Sequence, residues 1–575
     1  MLVKFKDIKK YFINYVCAYK WIKMFLLPAI CILGIVNFLE IFTLKESAKF
    51  VKINRSNDKW VLSTIIMCIM MYTFLKFIAD TFSTYMVSYI TQKAYTDFFG
   101  EFLNITYSEF HKYGIGEKHF DIRRRAVAIS MFFSALTINF VVNLMFFIWV
   151  TFEVCSKLNF FSFIKILSAL TMFLIAIFLL QSLRANLRIK VIQGFEENSK
   201  KMYDVLFNYE RIVAYNNEEI ELRKYYKSMS NQCFYNKLFW VTFEVGNFVT
   251  DALFCFLSIF IFLEYSKQPF ATPKEAAEAA AILTSIVKSL ETKVKFMAKI
   301  ISVLVMHYTN FDESIVKNAQ KENNERSTTL ILFEKDVKCS DLKFKHNKRI
   351  ILNGVNISIM KGDKIALVGT NGCGKSTFLK LLLGFYIYDG KIEIDDHDYK
   401  SLGTKQIRDM YSYIPQDSQL FDVSVLDNIK MGNKSLSNEE IVSLCIQFGY
   451  HKLFKTIGYD FNVGSRGKKI SGGERQKIAF MRAVARKAPL MLMDEPTANL
   501  DKNSEKIFIE HIKSKLETKT VLMIVHNLET LRYFDKVYFF NNKTIEAIGT
   551  FDDLYSKHNN FKKFYNSAIS KQNKI

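Results

Sequence analysis

The sequence predicts an α-helical membrane domain with six transmembrane helices, followed by an α/β domain. Apolar stretches of about the ~20 residues that cross a bilayer recur through the N-terminal half. A glycine-rich loop lies between a short apolar strand and a helical pattern at residues 364–384. The composition is 50% hydrophobic with 54 phenylalanines among 575 residues, which is more apolar than a soluble multidomain protein.

Six apolar stretches are the predicted spans, and they lie near residues 21–44, 60–90, 127–150, 158–182, 238–263 and 278–307. The connections at 91–126 and 183–237 are long, polar and helix-patterned. Both are rich in Arg and Lys, which places them on the cytosolic or matrix side by the positive-inside rule. The basic first 20 residues leave two interpretations open, an organelle presequence or a membrane-surface segment.

Charge and cysteine usage narrow the class of protein. A formal net charge of +22 is typical of proteins that bind nucleic acid or a membrane surface. Because of the apolar spans, we expect a lipid bilayer as partner and no nucleic acid. The nine cysteines form no C-x-x-C pair and no zinc spacing, so we expect free thiols rather than disulfides.

Polarity rises again near residues 318–329, and this predicts the domain boundary. We expect a transmembrane domain over residues 1–320, a linker over 321–332 and a soluble α/β domain over 333–575.

The sequence GTNGCGKST matches the phosphate-binding pattern G-x-x-x-x-G-K-[ST]. Its glycines let backbone N–H groups turn toward an anion, and its lysine adds a point charge for the β- and γ-phosphates. The strand before it and the helix after it place the phosphates at a helix N-terminus. The predicted nucleotide-binding residues are Gly369, Thr370, Asn371, Gly372, Cys373, Gly374, Lys375, Ser376 and Thr377.

Two further stretches carry chemistry. In LMLMDEP, an apolar strand ends in Asp494, which can hold Mg²⁺, and Glu495, which can act as general base toward water. ISGGERQ, residues 470–476, opens a helix with Ser-Gly-Gly and offers a second phosphate site. Two such helix starts with only one loop lysine suggest that ATP is shared between two subunits.

Together these stretches resemble the ABC transporters, specifically the exporter-type half-transporters of the B subfamily. The resemblance implies that residues 369–377 form the Walker A loop that binds MgATP. It implies that Glu495 is the catalytic base, and that a second copy completes a homodimer. The remaining roles it implies are Mg²⁺ ligands at Ser376 and Gln416, a Walker B aspartate at Asp494, a γ-phosphate contact at His526, a partner-facing signature at Ser471, Gly472 and Gly473, and a D-loop at Asp501.

The sequence departs from the family pattern at three positions. His346 stands where the family stacks an aromatic residue on adenine, so we expect weaker nucleotide affinity. Ser465 replaces the acidic residue that often precedes the signature. Cys373 lies inside the phosphate loop, where its oxidation would block ATP or where it is simply a small residue that fits.

Residues 206–232 are similar to the mitochondrial exporters of iron–sulfur assembly and heavy-metal tolerance, through the run Tyr215 to Glu218. That resemblance implies a small, anionic glutathione-linked or sulfur-containing cargo and a mitochondrial or mitosomal inner membrane. A plasma or other internal membrane stays open. The same group implies cargo contacts at Arg124, Glu244 and Asn247. The sequence departs from the group here, since Glu244 and Asn247 stand where Asn and Gln are usual and Val127 replaces a second arginine.

The last predicted span carries Lys288, Glu291, Lys295 and Lys299 at steps of three, four and four residues, which is one helical face. A charged intramembrane face lines a wet cavity or pairs internally, and both interpretations stay open. Our hypothesis is that the cargo path is bordered by Arg124, Glu244, Asn247, Lys288 and Lys295. Export of peptides, lipids or drugs, and an ATP-gated scaffold or channel, are the alternative functions.

Overall fold

A computed structural model describes residues 58–105, 107–110, 160–266 and 333–572 except 347, 348 and 499, with a few isolated positions before residue 131. The chain divides into two compact units. One contains residues 1–105 and 109–316, and the other contains residues 106–108 and 317–575. The predicted linker at 321–332 lies outside the described residues, so the proposed domain boundaries stay a prediction.

Long helices make up the described part of the first unit. They are α1 (Asp58–Leu103), α3 (Phe160–Phe207) and α5 (Glu218–Ser266). Two short helices accompany them, α4 (Tyr209–Ala214) and α2 (Tyr107–Phe110), and the first two residues of α2 belong to the second unit. The three long helices contain 46, 48 and 49 residues. At about 1.5 Å per residue they are roughly 70 Å long, more than twice the ~30 Å hydrocarbon core. Each is therefore long enough to extend well beyond a bilayer, and α3 and α5 continue into the connection at 183–237 that the sequence predicted to be helical.

Within the described residues, two segments are long and apolar enough to cross a membrane, namely Leu62–Gly100 and Glu218–Phe256. The predicted spans near 127–150 and 278–307, and nearly all of 21–44, lie outside the described residues. The number six therefore stays a prediction.

Helices α3 and α5 pack as an antiparallel pair, because α4 joins them by a short turn. Asn198 of α3 donates a buried hydrogen bond to Gln232 of α5. Three cations of α3 lie over three rings of α5 at successive steps, which sets the register of the pair. These are Arg184 over Phe243, Arg188 over Phe239 and Lys190 over Tyr235.

The second unit contains two sheets. The antiparallel sheet has the order β2-β1-β4-β5, and the larger sheet has the order β10-β9-β3-β8-β7-β6. The strands are β1 (Asp336–His346), β2 (Arg349–Met360), β3 (Lys364–Gly369), β4 (Asp389–Ile394), β5 (His397–Asp398), β6 (Tyr411–Ile414), β7 (Leu490–Asp494), β8 (Thr520–Ile524), β9 (Lys536–Asn541) and β10 (Thr544–Gly549).

Nine helices of four or more residues accompany the described strands of this unit. They are α6 (Lys375–Leu382), α7 (Thr404–Asp409), α8 (Val425–Lys430), α9 (Asn438–Gln447), α10 (His451–Ile457), α11 (Gly472–Ala485), α12 (Lys502–Lys515), α13 (Phe551–Lys557) and α14 (Asn559–Gln572). Short 3₁₀ turns occupy Tyr399–Ser401, Ser465–Gly467 and Leu528–Tyr533.

The core lies on both faces of the larger sheet. Along β3, Ala366 and Val368 face one apolar cluster, while Ile365 and Leu367 face the other. This period-2 division explains why the strand reads as a continuous apolar run, since both of its faces are covered. Phe480 of α11 is fully buried, with its ring 4.6 Å from that of Phe508 on α12.

The central strands run parallel, and their register fixes the reactive edge of the sheet. Leu367 of β3 lies opposite Ile524 of β8, which in turn lies opposite Asp494 of β7. The carboxyl ends of the three strands therefore meet at one edge. The loops that leave this edge carry the phosphate-binding sequence, the Asp494–Glu495 pair and His526.

Candidate nucleotide site

The phosphate loop has the backbone conformation that an anion cradle needs. Gly369, Gly372 and Gly374 have φ values of 149°, 79° and 108°. A Cβ at Gly369 would lie 2.2 Å from the Phe540 carbonyl oxygen, so a larger residue is excluded there. Thr370, Asn371 and Gly372 form the exposed crest of the loop, while Thr377 lies partly buried in the first turn of α6. This arrangement matches the predicted loop between β3 and α6.

Lys375 begins α6 directly beneath the crest. It is 8% exposed, and its Nζ donates to the carbonyl oxygens of Gly369 at 2.8 Å and Thr370 at 3.2 Å. The ammonium group is therefore fixed inside the curve of the loop. Cys373 is buried in the same curve, with its Sγ 3.8 Å from Lys375 Nζ. The small side chain fits the loop, which is the simpler of the two interpretations for Cys373.

Asp494 ends β7 next to the phosphate loop. The Ser376 hydroxyl donates to Asp494 Oδ1 at 2.9 Å, across 118 residues of sequence. Burial raises the pKa of the Asp494 carboxyl, and the nearby Glu495 raises it further, while the Ser376 hydrogen bond lowers it. A hydroxyl and a carboxylate therefore lie together beneath the phosphate loop, and both are oxygen ligands.

Glu495 holds two of the predicted catalytic side chains at once. Gln416 Nε2 donates to Glu495 Oε2 at 2.7 Å, and His526 Nε2 lies 2.6 Å from Glu495 Oε1. Glu495 itself has φ of 53°, a left-handed conformation that a residue with a side chain adopts only under constraint. The structure thus brings Gln416, Glu495 and His526, drawn from three separate stretches, into one hydrogen-bonded group.

The signature serine caps its own helix. Ser471 Oγ accepts from the Glu474 N–H at 3.3 Å, and Glu474 Oε2 accepts from the Ser471 N–H at 2.8 Å. This capping box explains why α11 begins at Gly472, with Gly473 in its first turn. Among the hydrogen bonds of the described residues, none joins Ser471 to the phosphate loop. The hydrogen bonds of Ser471 are therefore made within its own helix start.

Asp501 caps the helix that follows the Glu495 loop. Its carboxylate accepts from the Ser504 N–H and from the Ser504 hydroxyl, each at 2.8 Å. These bonds lower the pKa of Asp501. Asp501 is exposed and serves as the N-cap of α12, and its side-chain hydrogen bonds among the described residues are those to Ser504.

His346 lies exposed at the end of β1, opposite Arg349 of β2. Two residues earlier, Phe344 pairs with Leu352, and a Cβ added at Gly374 would lie 2.6 Å from a Leu352 methyl carbon. The β1–β2 hairpin therefore reaches the phosphate loop at the end that carries His346. Ser465 begins a 3₁₀ turn that Arg475 stabilises through the Gly467 carbonyl.

An aromatic contact that the sequence did not predict lies in the second unit. Tyr107 stacks on Phe385 with ring centroids 4.2 Å apart and meets the edge of Tyr386 at 5.5 Å. Burial raises the pKa of Tyr107. Tyr107 follows α1 along the chain yet packs as part of the unit that contains the phosphate loop. Its only sequence signal is an aromatic residue within the polar connection at 91–126.

Of the predicted cargo residues, Glu244 and Asn247 are described, and Arg124, Lys288 and Lys295 are not. Asn247 donates to Glu244 Oε2 at 3.3 Å on the exposed side of α5. The guanidinium of Arg184 attracts the Glu244 carboxylate and donates to the Phe243 carbonyl oxygen at 3.4 Å. Arg184 is a neighbour that the sequence analysis had not assigned to the cargo path.

Parallel strands with a phosphate loop, a carboxylate pair and a strand-end histidine define a P-loop nucleotide-binding domain. Residues 352–498 match the family model described as ABC transporter. The matched stretch lies in the second unit and contains the phosphate loop and the Asp494–Glu495 pair. The chain as a whole also has the fold of a solved ABC exporter structure.

A solved structure of a bacterial Atm1-family ABC exporter with ATP bound aligns with a TM-score of 0.86 and 19% identity. The alignment covers 96% of this chain and 98% of that one. Candidate multidrug export ATP-binding/permease proteins of Staphylococcus aureus, from strains NCTC 8325 and bovine RF122, are each 33% identical over 233 residues. Those alignments cover 40% of this chain and 40% of each relative, so the chain matches less than half the length of these relatives.

Asp494→Asn is expected to raise the thermal midpoint of the nucleotide-binding domain at neutral pH without nucleotide. The raised pKa means that folding favours the protonated carboxyl, so this group's contribution to stability is lost as pH rises through its folded pKa. The amide mimics the protonated form, and the difference should shrink on acidification. Labelling of the buried Cys445 thiol during heating reports the midpoint, because burial raises its pKa to about 11 in the fold.

Asp553→Asn is the matched control, because hydrogen bonds from Lys557 and Thr550 lower the pKa of Asp553. Its stabilising contribution is present above the unfolded pKa and is lost as pH falls, so this variant should not raise the midpoint. Equal lowering of the midpoint by both substitutions would contradict the burial effect assigned to Asp494.

Proposed function

We propose that the chain is one half of an ATP-driven exporter that hydrolyses ATP to move a small molecule across a membrane. The observation that carries the proposal is that the reactive side chains meet at one edge of the sheet, namely Lys375, Ser376, Asp494, Glu495 and His526. The same chain contains helices long enough to cross a membrane. The fold shared with a solved Atm1-family exporter supports it.

Glu495 is the proposed general base. Its carboxylate lies at the strand end beyond Asp494, where His526 and Gln416 fix both of its oxygens. A positioned carboxylate can accept a proton from the water that attacks the γ-phosphate. Lys375 would neutralise phosphate charge from inside the loop, and the backbone N–H groups of the loop would bind the phosphate oxygens.

The oxygen donors beneath the loop suit Mg²⁺, which prefers carboxylate, hydroxyl and carbonyl ligands. Ser376 Oγ, the Asp494 carboxylate and the amide oxygen of Gln416 would hold it together with the phosphates. The Ser376–Asp494 hydrogen bond already orients two of these groups. When bound, Mg²⁺ would supply positive charge against the phosphate oxygens.

Two copies of the chain are needed in this proposal. Each copy carries one loop lysine and a second phosphate-binding helix start at Ser471 that bonds only to its own helix among the described hydrogen bonds. A head-to-tail pair would place the signature of one copy over the ATP of the other. We propose a homodimer, since one chain contains every residue type that the two sites require.

The connections at 91–126 and 183–237 each contain a turn, one near residue 107 and one at α4. In this proposal these turns transmit closure of the ATPase domains to the membrane domain. None of the α4 side chains is buried, and Tyr209 beside Phe207 at the turn is 62% exposed. An exposed apolar tip of this kind is typical of a surface that contacts another protein. The stacking of Tyr107 on Phe385 supports a similar role for the turn near residue 107. ATP binding would then open the membrane domain outward, and hydrolysis would reset it.

For cargo, we propose a small anionic compound that is glutathione-linked or contains sulfur, in support of iron–sulfur protein assembly. The mitochondrial-type sequence at 206–232 and the fold of the Atm1-family exporter favour it. A mitochondrial or mitosomal inner membrane is the proposed location. The names of the Staphylococcus aureus relatives favour the second candidate, export of drugs and similar compounds from another membrane.

Glu495→Gln should retain ATP binding while lowering turnover about 10²–10⁴-fold, the usual contribution of a general base. The measurement is ATPase activity of the purified protein in liposomes, together with the affinity for ATP. Glu517→Gln, an exposed acid elsewhere in the same unit, is the control and should keep wild-type turnover. Full activity of Glu495→Gln would refute the assigned base.

Lys288→Gln with Lys295→Gln should raise the concentration of oxidised glutathione or glutathione persulfide that half-stimulates ATPase by about tenfold. The reason is the loss of charge-assisted contacts worth ~1.4 kcal/mol. Lys227→Gln, an exposed lysine of α5, is the matched control. Unchanged stimulation would remove these lysines from the cargo path, and stimulation of the wild type only by lipids or hydrophobic drugs would favour the second candidate.

A further inference from the structure

Glu505 lies where the helix pattern of α12 calls for an apolar residue. The buried positions of this helix are Glu505, Phe508, Ile509 and Ile512, which recur at helical spacing on one face. Glu505 is only 9% exposed. A carboxylate on a buried face is unfavourable unless its oxygens are hydrogen-bonded, so its presence needs a specific reason.

Both oxygens of Glu505 have a partner from a different catalytic loop. The Thr497 hydroxyl donates to Glu505 Oε1 at 2.9 Å, in a buried contact. The Asn527 side-chain amide donates to Glu505 Oε2 at 2.8 Å. Thr497 lies two residues after Glu495, and Asn527 lies directly after His526. One carboxylate therefore connects the two loops that carry the proposed base and its histidine.

The loop after β7 requires such an anchor because Glu495 has a left-handed backbone conformation. A conformation of this kind persists only where the surrounding structure holds it. A hydrogen bond of 3.3 Å from the Ala498 N–H to the Glu495 carbonyl closes the turn, and the Thr497 side chain between them is fixed by Glu505.

The loop after β8 is held in a similar way. Asn527 Oδ1 accepts from the Glu529 N–H at 3.2 Å and so caps the following 3₁₀ turn, while its amide nitrogen donates to Glu505. The side chain of Asn527 is thus fixed at both ends. His526, its neighbour, approaches Glu495 to 2.6 Å.

We propose that Glu505 is a positioning residue for ATP hydrolysis. Through Thr497 and Asn527 it fixes the positions of Glu495 and His526 relative to each other. The proposal rests on the ATPase function proposed above and names a residue that acts through the base, without contact to nucleotide. Asp501 caps the same helix one turn before Glu505, so the carboxylate is carried on a fixed helix start.

The chemistry of the contacts separates positioning from simple packing. A carboxylate only accepts hydrogen bonds, whereas a threonine hydroxyl both donates and accepts. Glu505→Gln can accept from Asn527 through its oxygen and donate to the Thr497 hydroxyl through its nitrogen. Glu505→Leu keeps the volume and the apolar face but loses both contacts. Adding Thr497→Val to Glu505→Gln leaves the new amide donor without its acceptor.

The test is steady-state ATPase kinetics of the full-length variants in liposomes, with ATP affinity and thermal midpoint measured in parallel. Glu505→Leu should lower kcat about 10–100-fold, with KM and ATP affinity within about twofold of wild type, because positioning losses of this kind fall on the chemical step. Glu505→Gln should keep kcat within about threefold. Glu510→Leu, on the exposed face of α12, is the matched control and should match wild type.

Thr497→Val covers the case in which Glu505→Leu does not fold, since it removes one hydroxyl and keeps the side-chain shape. It should lower kcat about tenfold at unchanged ATP affinity, and Thr497→Ser should restore activity. Combining Thr497→Val with Glu505→Gln should abolish the rescue that glutamine alone provides.

Wild-type kcat in both Glu505→Leu and Thr497→Val would overturn the proposal. The proposal would also be overturned if Glu505→Gln and Glu505→Leu lost kcat to the same extent and each loss matched the drop in thermal midpoint. That result would indicate that Glu505 contributes to packing alone. A wild-type protein no faster than Glu495→Gln is a different outcome, because it overturns the proposed ATPase function itself.

Discussion

The register of the parallel strands β3, β8 and β7 decides where every reactive group of the nucleotide site lies. Because Leu367, Ile524 and Asp494 stand side by side, the loops that follow them leave the sheet at one edge. The hydrogen bond between Ser376 and Asp494 and the contact between Glu495 and His526 are consequences of that alignment. A slip of one residue would turn Asp494 to the other face of the sheet and separate these pairs.

The parts of the site that the sequence predicted are those in which the chemistry lies within a short run of residues. The loop from Gly369 to Thr377 needs its glycines at fixed spacing, and Asp494 must end a buried strand, so both leave a local pattern. The contacts of Glu505 and the stack of Tyr107 on Phe385 depend on residues far apart in the chain, and a single sequence holds no record of such distances. Glu505 left one local sign, an acid on an otherwise apolar helix face.

The nucleotide site also works against the stability of its own domain. Burial raises the pKa of Asp494, and the positive φ of Glu495 is a strained conformation. Hydrogen bonds compensate: Ser376 of the phosphate loop bonds Asp494, while Glu505, which lies outside that loop, fixes the neighbours of Glu495 and His526. The signature helix start at Ser471 has its own capping box and bonds only there among the described hydrogen bonds. Each chain thus has a phosphate loop and a separately capped signature helix start. This is the reason for proposing that two copies share each nucleotide.

The sharing of ATP is tested most directly by mixing two tagged copies, one with Lys375→Ala and one with Ser471→Arg, each also carrying Glu495→Gln. After purification through both tags, we measure radiolabelled ATP retained by the mixed complex. The account predicts retention in the mixed complex of about one ATP per pair and in neither variant alone, because only the mixture unites an intact loop with an intact signature. Retention by Ser471→Arg alone, or none in the mixture, would contradict it.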